Sequence, residues 1–163
     1  FTITTDGFTY QMKKDAFGHL LHLYYGSPIE GDASSLLSLR DRGFSAVPYE
    51  AGLDRSYSYD YLPLEVSGLG DGDFRTPGII IEQEDGTLSA SFRYLCHRIY
   101  KGGALLEGLP CGRIGDGESL EITLKEDLSG AELILTYTAK DSSLLRGMKL
   151  VAKDKKITLK KAL

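Results

Sequence analysis

Along residues 119–126, SLEITLKE, the apolar side chains Leu120, Ile122 and Leu124 alternate strictly with polar ones. A period of two puts the three on one side of an extended strand and leaves the other side wet. AELILTYT repeats the pattern with Leu133, Leu135 and Tyr137. Further strand-like runs are FTYQMKK, HLLHLYYG, GIIIEQ, GMKLVA and KITLKKAL. Asp6-Gly7 and Asp85-Gly86 each stand between two such runs, a strong short-range hairpin signal. After the second pair, alternation predicts Leu88, Ala90, Phe92, Tyr94 and Cys96 on one face. Ser89, Ser91, Arg93, Leu95 and His97 take the other. No window gives a convincing helix; the best start is Asp32 in DASSLLSLRDRG, which suits the cap of a short turn. Hairpins imply antiparallel pairing, and this many strands predict an all-β antiparallel β-sandwich.

The length of 163 residues suits one domain, 1–163. A hydrophobic fraction of 42% supports a packed core and excludes the disordered class. The formal net charge of -4 argues against a nucleic-acid partner, which selects a basic face. The basic run KDKKITLKK is simplest as a turn followed by a solvated strand face. No apolar run approaches the roughly 20 residues of a membrane helix, so no membrane partner is expected. No signal peptide is visible, although a chain opening on strand-like sequence could have been trimmed. Cys96 and Cys111 do not make a disulfide framework, which makes a reducing cytoplasm the default expectation. Zinc-type Cys/His spacings are absent.

Residues 26–78 differ from the rest. They hold Pro28, Pro48, Pro63 and Pro77, many glycines, and the closely spaced Tyr49, Tyr57, Tyr59 and Tyr61. The stretch is too long for an ordinary loop and too aromatic for disorder, so a structured functional excursion is predicted. LDRSYSYDYLPLE either packs onto the sandwich or offers its rings to a sugar or a protein surface. DGDFRTPGIIIE has acids at the first, third and twelfth positions, as an EF-hand loop does. Arg75 then stands where a fifth-position oxygen ligand belongs and Thr76 where the turn glycine belongs. The β-branched Ile79, Ile80 and Ile81 favour a strand, so no metal is assigned, and Asp73 and Arg75 are free to pair with each other or with nearby backbone. Glu82, Glu84 and Asp85 surround a turn and suit a solvated edge. His19 and His22 fall on opposite strand faces and do not suit a metal pair. His97 suits a strand residue. No nucleophile elbow and no phosphate- or dinucleotide-binding glycine pattern is present, and no cofactor is assigned.

Several blocks, in order, resemble one family. Tyr61-Leu62-Pro63-Leu64-Glu65, Gly72-Asp73-Phe74-Arg75, His97-Arg98-Ile99-Tyr100-Lys101-Gly102 and Leu106-Glu107-Gly108-Leu109-Pro110 are similar to the N-terminal domain of family 36 glycoside hydrolases, the bacterial-type α-galactosidases. FTYQMKKDAFGHLLHLYYG and ESLEITLKEDLSGAELILTYT fit the same pattern. Cys96 replaces the family's serine before His-Arg-Ile-Tyr-Lys-Gly, and Glu65-Val66-Ser67 replaces its Glu-Tyr-Pro.

The resemblance implies a β-supersandwich of galactose-mutarotase-like type, of which KITLKKAL is an internal strand, so that the domain is incomplete at Leu163. It implies a (β/α)8 catalytic barrel as the domain's own partner, outside these residues. It also implies hydrolysis of terminal α-galactosides such as raffinose and melibiose, with retention. Both catalytic aspartates belong to that barrel, so no catalytic residue is assigned and this chain alone is expected to be inactive. In tetrameric members the long loop reaches the active site of a neighbouring subunit, where an aspartate and an arginine line the outer substrate pocket. The matching positions are Asp41 in LRDRGFSAVP and Arg55 in LDRSYS. The competing expectation is a free-standing carbohydrate-binding or adhesion module.

Overall fold

The computed structural model describes residues 1–41, 43, 49–52, 54–70, 72–103 and 116–163. Asp71, the block Leu106–Pro110 and Cys111 lie outside the described residues. Nine strands are described: β1 (Thr2–Thr4), β2 (Thr9–Lys14), β3 (Leu20–Gly26), β4 (Ile79–Gln83), β5 (Phe92–Lys101), β6 (Glu118–Glu126), β7 (Glu132–Lys140), β8 (Ser143–Val151) and β9 (Ile157–Ala162). They form antiparallel sheets of order β1-β2-β3, β4-β9 and β5-β6-β7-β8. The all-β expectation holds, and helix is confined among the described residues to two 3-10 turns, Ala33–Leu36 and Tyr49–Ala51.

Alternation decides the centre of the fold. Leu120, Ile122 and Leu124 of β6 stand opposite Tyr137, Leu135 and Leu133 of β7, and all six are buried. They share one core with Tyr10 and Met12 from the first sheet, Phe8 just before β2, and Ile79 and Ile81 from β4, so the sheets pack as layers around it. The β6–β7 turn needs a glycine. Gly130 has φ +70°, and a Cβ there would come within 2.2 Å of an Asp154 carboxylate oxygen. Buried Glu126 closes the same turn by accepting from Ser129 N at 2.7 Å and Ser129 Oγ at 2.6 Å.

Two expectations need correction. Strict alternation put Cys96 on the same face as Phe92 and Tyr94. In β5 the pairing steps from Tyr94↔Leu124 to Cys96↔Thr123, so Leu95 is an extra bulged residue. The bulge turns Cys96 outward and sets His97 and Ile99 opposite Ile122 and Leu120. The Asp85-Gly86 turn also forms, with Gln83 N bonded to Thr87 O at 2.9 Å. Residues 88–91, however, do not continue as a ladder with β4, whose partner is the distant β9. The Asp6-Gly7 hairpin forms between β1 and β2, and Asp32 caps the Ala33–Leu36 turn by accepting from Ser34 N.

Candidate functional site

The excursion runs from the end of β3 to the start of β4, and the sandwich holds its ends, one through a buried side chain and the other through backbone bonds. Gln11 of β2 is 2% exposed and acts as a substitute strand. Its Nε2 donates to Gly31 O at 2.7 Å, and its Oε1 accepts from Ala33 N at 2.8 Å. The returning limb pairs along β3, with His22 N donating to Pro63 O at 2.7 Å and Glu65 N to Leu20 O at 2.8 Å.

Between these ends the excursion builds a small second core against β3: Tyr57, Tyr59 and Leu62 pack with Leu21 of β3, flanked by Phe17, Leu37, Ala51 and Leu64. Tyr57 and Tyr59 are therefore packing residues, while Tyr61 is only partly buried. Burial first, then its hydrogen bond to Asp15, pushes the Tyr57 phenol well above its ordinary value. Asp15 collects donors from Phe17 N at 2.9 Å and His19 N at 2.8 Å, and His19 Nδ1 meets Tyr57 Oη at 2.7 Å. Burial pushes the Asp15 carboxyl up, but the bonds from His19 and Tyr57 together outweigh it and hold it below the usual range.

The Gly-Asp-Phe-Arg turn closes the excursion. The Arg75 guanidinium grips Asp73 through both carboxylate oxygens, each at 2.9 Å, and donates to the carbonyls of Leu62, at 2.7 Å, and Tyr59. The planar fork of arginine is what allows one side chain to serve a carboxylate and two carbonyls together. The pairing of Asp73 with Arg75, left open by the sequence, is thus a staple between the turn and the tyrosine core. Phe74, between them, is 84% exposed.

On this frame stand Asp41 and Arg55, fourteen positions apart in the chain and brought to 3.1 Å as an ion pair. Local turns set both. Asp41 Oδ1 also accepts from Gly43 N at 2.8 Å, and Asp54 fixes the turn at Arg55 by accepting from Ser56 N at 3.0 Å and Ser56 Oγ at 2.6 Å. Both side chains are more than half exposed, Arg55 at 55% and Asp41 at 62%. A forked cation and a carboxylate held side by side in water present donors and acceptors together, the combination that suits vicinal sugar hydroxyls.

Sequence reasoning missed a second polar centre. The Glu65 side chain, 2% exposed, reaches between the layers. Its Oε1 accepts from Tyr10 at 2.6 Å, from Tyr137 at 2.9 Å and from Arg146 of β8. His22 Nδ1 lies 3.4 Å from Oε2. Burial, reinforced by this carboxylate, raises both tyrosine phenols far above their ordinary value. Glu65 and Arg146 are 81 positions apart, and no local pattern links them. The remaining candidates are placed simply. Glu82 pairs with Lys160 of β9 at 2.6 Å on a solvated face, and His97 meets Tyr94 Oη at 2.7 Å. Among the described residues no cluster of His, Cys, Asp and Glu suits a metal ion.

Residues 18–163 match the model of the glycosyl hydrolase family 36 N-terminal domain. The chain belongs to that family. The family 36 domain is 42% identical over 139 residues to the bifunctional alpha-galactosidase/sucrose kinase AgaSK of Mediterraneibacter gnavus, covering 84% of this chain and 15% of the relative. It is 37% identical over 135 residues to alpha-galactosidase AgaA of Geobacillus stearothermophilus, covering 80% of this chain and 18% of the relative. The solved galactosidase domain of AgaSK superposes with a TM-score of 0.94 at 37% identity, over 99% of this chain and 23% of that one. A crystal structure of a doubly substituted AgaA in complex with raffinose superposes with a TM-score of 0.92 at 33% identity, over all of this chain and 23% of that one. The family 36 domain thus spans less than a quarter of each of these relatives, which are named as α-galactosidases.

Proposed function

We propose that this domain is the non-catalytic N-terminal part of a retaining α-galactosidase acting on terminal α-galactosides of the raffinose and melibiose type. Its roles are to support a (β/α)8 barrel, to build a homo-oligomer of tetrameric kind, and to line the sugar entrance of a neighbouring subunit with Asp41 and Arg55. The observation that carries the last role is the exposed ion pair itself, set by two turns on a stapled excursion. A retaining mechanism needs a carboxylate nucleophile and a carboxylic acid about 5–5.5 Å apart. No acid of this chain is given either part, so the domain shapes substrate binding and leaves bond cleavage to the barrel. A reducing cytoplasm suits the exposed free thiol of Cys96.

In the full-length enzyme, Asp41→Ala and Arg55→Ala should each raise the Michaelis constant for raffinose while sparing turnover. Unchanged constants in both variants would remove the substrate role. Residues 1–163 alone should not hydrolyse a chromogenic α-galactoside. The competing reading, a free-standing sugar-binding module, predicts saturable binding of raffinose by the isolated monomer. Burial of Tyr57 and Tyr59 weighs against it, because those rings are not offered to a ligand.

A further inference from the structure

The tyrosines of the excursion divide sharply by exposure. Tyr57 and Tyr59 are 5% and 4% exposed, whereas Tyr49 is 97% exposed, more than any other large apolar or aromatic side chain among the described residues. A single tyrosine at a surface is ordinary. What sets Tyr49 apart is the backbone beneath it and the company it keeps.

Tyr49 opens the 3-10 turn Tyr49–Ala51. Three turn hydrogen bonds then follow one another: Gly52 N donates to Tyr49 O at 3.1 Å, Asp54 N to Ala51 O at 3.1 Å and Tyr57 N to Asp54 O at 3.2 Å. The run is fixed from two sides. Glu50 is ion-paired with Arg93 of β5, and Ala51 packs against the second core. The two residues after Tyr49 thus hold the turn, and its ring is left in water.

The same run of turns carries Arg55, six positions on, whose guanidinium meets Asp41 at 3.1 Å. The Cα atoms at the two ends of one turn lie less than about 7 Å apart, and three further residues add at most about 11 Å. The backbone of Tyr49 is therefore within about 18 Å of Arg55, the scale of a short oligosaccharide. An aromatic face suits the C–H face of a sugar ring, as a guanidinium and a carboxylate suit its hydroxyls.

We propose that Tyr49 is a stacking platform for a sugar unit beyond the one held by Asp41 and Arg55, through which the domain favours longer α-galactosides over disaccharides. This rests on the reading of the pair as lining a substrate entrance. The pair gives direction through hydrogen bonds. The ring gives apolar area, which contributes only when the substrate is long enough to reach it.

Kinetics of the full-length enzyme on the disaccharide melibiose and the tetrasaccharide stachyose test the platform. Tyr49→Ala should lower the ratio of kcat/KM for stachyose to that for melibiose by about 3- to 10-fold, the scale of one aromatic contact. Tyr49→Phe keeps the ring and should keep the ratio. An unchanged ratio in Tyr49→Ala overturns the proposal. So does a Tyr49→Phe variant that behaves like Tyr49→Ala, because the hydroxyl is then the group that matters. The unfolding midpoint should stay in place in both variants, and a clear drop would make Tyr49 a packing residue instead. Asp41→Ala and Arg55→Ala, measured alongside, separate the two readings. If they leave the Michaelis constants unmoved while Tyr49→Ala lowers the ratio, the role of the pair falls and the platform stands. Raised constants with an unchanged Tyr49→Ala ratio sink the platform alone, and an enzyme that turns over neither sugar sinks both.

Discussion

The β6–β7 hairpin and the excursion between β3 and β4 keep their shapes by different forces. In the hairpin, three apolar residues of one strand face three of the next. Each fully buried aliphatic side chain contributes about 1.5–3 kcal/mol by leaving water. The excursion has two 3-10 turns among its described residues and a core of only a few side chains. Its course is set by side chains standing in for backbone partners: Gln11 at its entry, Asp15 beneath the tyrosines and Arg75 at its exit. Burial area thus decides the first region, and satisfied polar groups decide the second.

The largest effect should come from the hairpin. Ile122 is fully buried opposite Leu135, and Ile122→Ala removes packing that its neighbours cannot refill. A loss of about 2–5 kcal/mol is expected, seen as a lower denaturant midpoint for the whole domain. If only the excursion loosened, the sandwich would not be the unit that apolar burial holds together.

Arg75→Ala comes next and should act locally. It strips a partner from Asp73, whose side chain is 4% exposed, and donors from two carbonyls. Arg75 is itself 37% exposed, so water replaces part of what is lost. About 1–3 kcal/mol is expected, as faster proteolysis within residues 54–75 while the β6–β7 amides stay protected. Arg75→Lys should rescue little, because a single ammonium cannot fork between Asp73 and two carbonyls. Equal loss of protection in β6–β7 would erase the distinction between the regions.

These regions also differed in how much the residue string disclosed. Alternation at Leu120–Leu124 and Leu133–Tyr137 was enough for strand type, face and fold class, because burial on a two-residue period leaves a direct mark. The Leu95 bulge left none, since an inserted residue is defined by its partner strand. The β4–β9 ladder joins Ile79 to Ala162 with no turn between them to announce it. In the excursion, prolines and glycines marked the boundaries, and the Gly-Asp-Phe-Arg block marked the staple. That Tyr57 and Tyr59 point inward was not legible, because a tyrosine suits a core and a surface equally. The Asp41–Arg55 pair was reached through family resemblance, and its 3.1 Å contact through structure alone.

Acid should sharpen the contrast. The folded pKa of Asp15 is depressed by its bonds to His19 and Tyr57, so its contribution is present above the unfolded carboxylate value of about 3.9. That contribution is lost as pH falls through the lower folded value. The tyrosine core should therefore loosen below about pH 4, visible as a rise in exchange of the Tyr57 and Leu62 amides. Asp15→Asn should abolish this pH step. A step of unchanged size in that variant would mean another carboxylate controls the region.

The smallest effect on stability belongs to the pair given the largest role in binding. Asp41 and Arg55 are both more than half exposed, and exposed ion pairs contribute about 0–1 kcal/mol. Replacing both by alanine should leave the unfolding midpoint nearly where it was and spare the Arg75 staple, which shares no partner with them. A drop comparable to that of Arg75→Ala would make the pair a latch of the excursion, and any rise in the Michaelis constant would then follow from a displaced loop. An unmoved midpoint with a raised constant for raffinose points the other way: two side chains held side by side in water for the sake of what they meet there.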